Sequence, residues 1–258
     1  MSDARRSSLS CFRMTHWTGR RGLIRFIGFT GFIVVLSCGT IARAAWDFSI
    51  SGFGGYSVPF KTDIQQTGPG TNFTGKDGKL ENSASYGGKI TAWTTAPRRR
   101  FGLDFGAEID VTHFNPNVKS QTLTTTGTLL GIPFGSPVLA SNAKYGPIDV
   151  SATTIALNFL VRKPFGVTKD LPMGRWYPYV GIGGGAQIAH ASGNGLDTTD
   201  TSGAIQVPAG FSVFITRHIA FFGEYKYIHA SHTFKSNSFS NELTIANNNF
   251  LAGLAVHF

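Results

Sequence analysis

From residue 45 onward, apolar and polar residues alternate one for one, and this two-residue period constrains the chain more than any other feature. A period of two puts successive side chains on opposite faces of a strand, whereas a helix needs a repeat near 3.6. Eight segments carry the pattern. Near 46–57, Trp46, Phe48, Ile50 and Tyr56 oppose Asp47, Ser49 and Ser51. Near 84–95, Tyr86 and Ile90 oppose Ser85, Lys89 and Thr91. The third segment, 100–112, is the clearest: Phe101 through Val111 at odd numbers oppose Arg100 through Asp110 at even ones. The others lie near 149–162, 175–190, 203–215, 217–230 and 248–258.

A soluble sandwich also alternates, so three further features place the apolar face in lipid. Charges stand mid-segment on the polar face: Lys89, Asp104, Glu108, Glu224 and Lys226. If the apolar face meets lipid, these line an interior and must pair there. The segments are long enough to cross a bilayer as tilted strands, which takes about nine to eleven residues. The connections alternate too: 58–83, 113–148, 191–202 and 231–247 are long, while 96–99, 163–174 and 216 are short. Long outer loops and tight periplasmic turns are the habit of up-and-down membrane barrels. The expectation is all-β: an eight-stranded antiparallel transmembrane barrel over 45–258, preceded by a signal peptide. Trp46, Trp93, Trp176, Tyr177, Tyr179, Tyr225 and Tyr227 are candidates for its interfacial girdles.

The first 44 residues read as that signal peptide. Arg5, Arg6, Arg13, Arg20, Arg21 and Arg25 form a basic region, Phe26 to Cys38 an apolar stretch, and Ala42-Arg43-Ala44 a cleavage site. Met14 is an alternative start. Arg20-Arg21 suggests a twin-arginine signal, but a barrel must cross the inner membrane unfolded, and Val35-Leu36-Ser37-Cys38 is a poorer cleavage box than the one after it. The formal net charge of +9 belongs mostly to this leader, which holds seven of the 23 basic residues and one of the 14 acidic ones. The rest of the chain is near +3, with no basic patch interleaved with aromatics, so nucleic acid is not an expected partner. Both cysteines, Cys11 and Cys38, are also in the leader, which leaves no thiol chemistry after it. Mean hydropathy is +0.01, as expected where strands average apolar against polar.

The final segment, Asn247 to Phe258, ends an apolar row on Phe258 and resembles the assembly signal of bacterial outer-membrane proteins. Phe221-Phe222-Gly223-Glu224-Tyr225-Lys226-Tyr227 and Tyr177-Pro178-Tyr179-Val180-Gly181-Ile182-Gly183 resemble strands of small barrels of the outer membrane protein beta-barrel domain family, the OmpA/OmpX-like porin-family proteins. The resemblance implies the cell outer membrane, with lipid, lipopolysaccharide and the barrel-assembly machinery as partners. It implies a structural or surface-interaction role through the long loops.

Lys89, Asp104, Glu108, Glu224 and Lys226 are expected to form a polar network filling the lumen, because eight strands leave an interior just wide enough for side chains. The competing reading is a narrow charged pore. An enzymatic alternative rests on His229, Ser231 and Glu242 as base, nucleophile and orienting acid. The His-x-Ser resembles that of the lipid A deacylase family, although that family has Asn where this chain has His232. No cofactor is expected, and no metal, since His229, His232 and Glu242 lack a ligand spacing of known type. Gly181 to Gly185 is no nucleotide loop, having no helix or Lys-Ser/Thr after it. It is expected to make room for large side chains inside the barrel. Gly127 to Phe134 is unusually apolar for a loop and is expected at the rim or against a partner.

Overall fold

The computed structural model describes residues 46–129, 132–134, 141–145, 147–193, 196–236 and 239–258. The leader, with Cys11, Cys38 and Ala42 to Ala44, lies outside these residues. Among the described residues no helix is long and apolar enough to cross a membrane.

Eight strands close one antiparallel barrel: β1 (Trp46–Pro59), β4 (Ser83–Thr94), β5 (Asp104–Phe114), β9 (Asp149–Arg162), β10 (Trp176–Gly193), β11 (Leu196–Phe214), β12 (Ile219–Ser236) and β13 (Phe239–His257). Closure comes from β1 against β13, where Ser49 pairs with His257 and Pro59 with Asn247. A single closed sheet excludes the two-layer sandwich and leaves no unpaired edge in the wall. The apolar row faces outward: Tyr86, Ile109, Leu157, Phe159, Ile182, Ile205, Phe211, Phe250 and Leu254 are all exposed. So broad an apolar band is tolerable only against lipid.

The described parts of the long connections are largely strands. β2 (Thr62–Gly68) carries the wall on from β1, pairing Ile64 with Leu243. β3 (Thr71–Gly78) pairs with β2 and with β6 (Gln121–Leu129), which in turn pairs with β7 (Ile132–Phe134) and β8 (Ser141–Tyr145). Their threonines and isolated apolar residues are β-formers, and Gly and Asn between them had suggested irregular structure. The Gly127–Phe134 segment falls on the β6–β7 hairpin, with Leu130 and Gly131 outside the described residues. β10 to β13 run 18 or 19 residues each, so the described residues of the segments expected as loops at 191–202 and 231–247 are strand extensions.

The third strand also begins later than expected. Arg98–Phe101 forms a one-turn helix, α1, closed by Gly102 at φ 69°, so Phe101 belongs to a turn. The three short connections mark the periplasmic end and the strand extensions the outer end.

Candidate functional site

Inward-facing side chains stack in layers from one end of the lumen to the other. At the periplasmic end Arg162 is the hub. Its Nε donates to Asp104 Oδ2 at 3.0 Å, and its Nη1 stands 2.8 Å from Asp47 Oδ2. The guanidinium lies over the rings of both Trp93 and Tyr177, at 4.4 and 4.6 Å, in the corner these two make by meeting edge to face. Arg98 reaches in from α1 to Asp104, and His257 Nδ1 meets Asp47 Oδ1 at 2.8 Å. Trp93, Tyr177, Phe214, Phe222 and Leu160 pack around this hub as an apolar layer.

The middle layer is built on Glu224. One of its oxygens pairs with Lys89 and accepts from the Tyr179 hydroxyl at 2.7 Å, and the other is 3.2 Å from Lys226. Lys226 donates to Asp110 Oδ2 at 2.5 Å and lies over the Phe53 ring at 4.6 Å. Glu108 accepts from Thr91 at 2.9 Å and from Asn158 at 3.0 Å, and stands 3.4 Å from Lys89. Gln206 donates in turn to Asn158 at 2.8 Å. Each ionised group of this layer thus has an opposite charge beside it, and Glu108, Asp110, Glu224 and Lys226 gain further hydrogen bonds from Thr91, Asn158, Thr112 and Tyr179, which helps to offset a desolvation cost of several kcal/mol per ion.

Toward the outer end Gln187 donates to Thr154 at 2.8 Å and meets His232 Nε2 at 3.0 Å, while His232 Nδ1 meets Asp200 at 2.9 Å. Around these polar groups packs a second apolar layer of Phe114, Val150, Ile228 and Ile245, each at most 2% exposed. Between the layers the middle of the lumen retains a cavity of about 20 Å³, bounded by Lys89, Glu108 and Tyr179 among others. That is room for about one water molecule.

The structure places Lys89, Glu108, Glu224 and Lys226 in one connected network, and Asp104 in the separate periplasmic layer. Asp110, Asp47 and Arg162 are equal members of these layers. Their signal in the sequence was strand parity, which sets them on the same polar face. Arg98 gave no such signal, since it reaches the lumen from a turn. Among the girdle candidates, Trp46, Trp176 and Tyr225 face outward, but Trp93, Tyr177 and Tyr179 are buried inside the barrel. Glycines make that possible. A Cβ at Gly210 would stand 2.7 Å from the Tyr179 hydroxyl, and one at Gly106 would stand 2.6 Å from the Trp93 ring; within Gly181 to Gly185, one at Gly183 would overlap Asn158.

His229 and Ser231 lie on the outer face of β12, and Glu242 on the outer face of β13, opposite Thr233. Ser231 Oγ shares a hydrogen bond of 3.1 Å with Thr244, and the His229 ring stacks on Tyr227. Among the described residues no hydrogen bond joins His229, Ser231 and Glu242. His232 points inward and is fully buried. No group of three or more His, Cys, Asp or Glu among the described residues is arranged to hold a metal.

A closed eight-stranded barrel with an apolar exterior and a polar, packed interior defines an integral outer-membrane protein. The chain belongs to the outer membrane protein beta-barrel domain family, whose pattern it matches over residues 30–258. It is similar to Neisserial surface protein A at 16% identity, covering 82% of this chain and 97% of that one, with a TM-score of 0.41. OprG from Pseudomonas aeruginosa is 12% identical over 83% and 96% of the two chains, with a TM-score of 0.40. The outer membrane protease OmpT from Escherichia coli is 8% identical over 85% and 99%, with a TM-score of 0.42. Comparison with curated protein sequences finds no match.

Proposed function

We propose that this outer-membrane barrel is a non-enzymatic envelope protein whose lumen is closed and whose outer strands make surface contacts. The observation that carries the reading is the layered lumen: two salt-bridged layers and two apolar layers of side chains fill the described interior, with a cavity of about 20 Å³ among them. The outer side offers a recess of about 520 Å³ lined by Tyr56, Lys79, Glu81, Lys119 and Gln121. It is suited to a polar surface ligand or the sugar headgroups of lipopolysaccharide. Residues 1–44 serve as the cleaved signal, and Phe258, exposed at the end of the outward row, as the contact for the barrel-assembly machinery. In planar bilayers the reconstituted protein is expected to give no stable conductance. Large, long-lived open channels would overturn the closed lumen.

A hydrolase acting on lipid A is the second reading, favoured by the shared outer face of His229, Ser231 and Glu242. It requires Ser231 to leave Thr244 and meet His229. Ser231→Ala is expected to leave the lipid A acylation profile unchanged by mass spectrometry. A profile that differs between the wild-type and Ser231→Ala strains would establish the enzyme instead.

A further inference from the structure

The charges that follow the leader are partitioned by height along the barrel. Of the 16 Lys and Arg after residue 44, seven lie in the three short periplasmic connections, three in the lumen and six on the outer side. The 13 acidic residues divide as one, five and seven. The excess positive charge therefore sits wholly at the periplasmic rim, while the lumen and the outer side are each slightly negative. Two rim cations are committed: Arg98 to Asp104, and Arg217 to Asp170 at 2.7 Å. Arg99, Arg100, Lys163, Lys169 and Arg175 are all exposed, and none has a carboxylate partner among the described residues.

These cations stand at the edge of the lipid band. Arg100 lies over the ring of Phe101, which is 60% exposed. Lys163 lies over Phe165, whose ring stacks at 4.4 Å on the outward-facing Trp176. A cation above an exposed aromatic at a barrel rim keeps its stem against acyl chains and its head at the level of the phosphates. Cations meant for a partner deeper in the periplasm would not need such seats.

We infer that the periplasmic rim is a basic collar that binds the anionic phospholipid headgroups of the inner leaflet, phosphatidylglycerol above all. The collar selects for net negative charge, because phosphate paired with an ammonium in a zwitterionic headgroup is already compensated. It also holds one side of the short-turn end at headgroup level, since the five cations sit in two neighbouring connections, β4 to β5 and β9 to β10. The inference uses only the membrane orientation of the barrel and is independent of whether the lumen conducts.

The experiment is native mass spectrometry of the full protein released from nanodiscs of mixed phosphatidylglycerol, phosphatidylethanolamine and phosphatidylcholine. The wild type is expected to retain phosphatidylglycerol over the two zwitterionic lipids by about five-fold or more, the preference falling as salt rises. Replacing Arg99, Arg100, Lys163, Lys169 and Arg175 by Gln, with Arg98 kept, is expected to abolish the preference while heat-modifiable gel migration stays unchanged. Absence of a preference in the wild type overturns the collar, as does a preference unaffected by salt. An equal preference in a folded five-site variant also overturns it. Capture of the wild type by isolated peptidoglycan sacculi, lost in the variant and without any lipid preference, would reassign the collar to the cell wall. Should the five-site variant not fold, the salt dependence of the wild type and the pair Arg99→Gln, Arg100→Gln decide.

Discussion

Lys226 Nζ lies 2.5 Å from Asp110 Oδ2 across the lumen, from β12 to β5, with both side chains fully buried. The pair joins strands on opposite sides of the barrel and shares Lys226 with Glu224 on its own strand. Lys226→Met would leave the buried Asp110 without its counter-charge and Glu224 with Lys89 alone. A loss of about 3–5 kcal/mol is expected, read as a lower urea midpoint of the detergent-refolded barrel. The double replacement Lys226→Met, Asp110→Leu is expected to recover much of that loss, because no unpaired carboxylate then remains at position 110.

Arg162 tests shape as well as charge. Its planar group lies over both Trp93 and Tyr177, which meet edge to face, while two carboxylates pair with it. Arg162→Lys keeps the charge but loses the stack and the fork, at a cost of about 2 kcal/mol. A midpoint equal to wild type would mean that charge alone closes the periplasmic end.

Gly210 is opposite Tyr179 in the β10–β11 ladder. Gly210→Ala puts a methyl 2.7 Å from the Tyr179 hydroxyl and 2.5 Å from the Gly223 carbonyl. Overpacking of this kind costs about 1–3 kcal/mol, and here it also displaces the hydroxyl that donates to Glu224. The drop is expected to shrink when Tyr179→Phe is combined with it, as measured by a double-mutant cycle.

His232 controls the outer seam between β11 and β12, beyond the membrane-spanning part of β12. Backbone pairing there ends at Ala204 and Ala230. Further out the strands are joined by Asp200, which accepts from the Thr233 amide at 3.2 Å and meets His232, and by Ser202, which donates to the Ser231 carbonyl at 2.5 Å. Burial lowers the His232 pKa below 6.5, outweighing the opposite pull of Asp200. The neutral ring fits if Nδ1–H donates to Asp200 and Nε2 accepts from the Gln187 amide turned over. A folded pKa below the unfolded one means that the folded state holds the proton less well. The stability is then fully present above pH 6.5 and declines as pH falls toward the folded value. Amide exchange at Thr233, corrected for its intrinsic rate, is expected to quicken from pH 7.5 to pH 5, and His232→Gln to remove that dependence.

The faces of the barrel were legible because strand parity is local. Asp47, Lys89, Glu108 and Lys226 had to point opposite to Phe48, Ile90, Ile109 and Tyr225 once each segment was extended. Parity could not say that the stretch after Tyr56 continues as a wall, since Gly and Asn serve bulges and hairpins as readily as loops. Parity also set Trp93, Tyr177 and Tyr179 on the inner face, where they are buried; the girdle reading, which rested on the preference of aromatics for interfaces, pointed the other way.

The sequence by itself determined that this chain forms long two-faced strands with an apolar side too extensive for water, and therefore a membrane barrel. Only the tertiary structure decided who meets whom inside it. Glu224 stands between Lys89 and Lys226, and Arg162 between Asp47 and Asp104, because closure of β1 on β13 fixes the stagger of all eight strands at once. Stagger is a property of the whole ring. No single strand carries it, and so the side-chain partners across the lumen are absent from any local pattern.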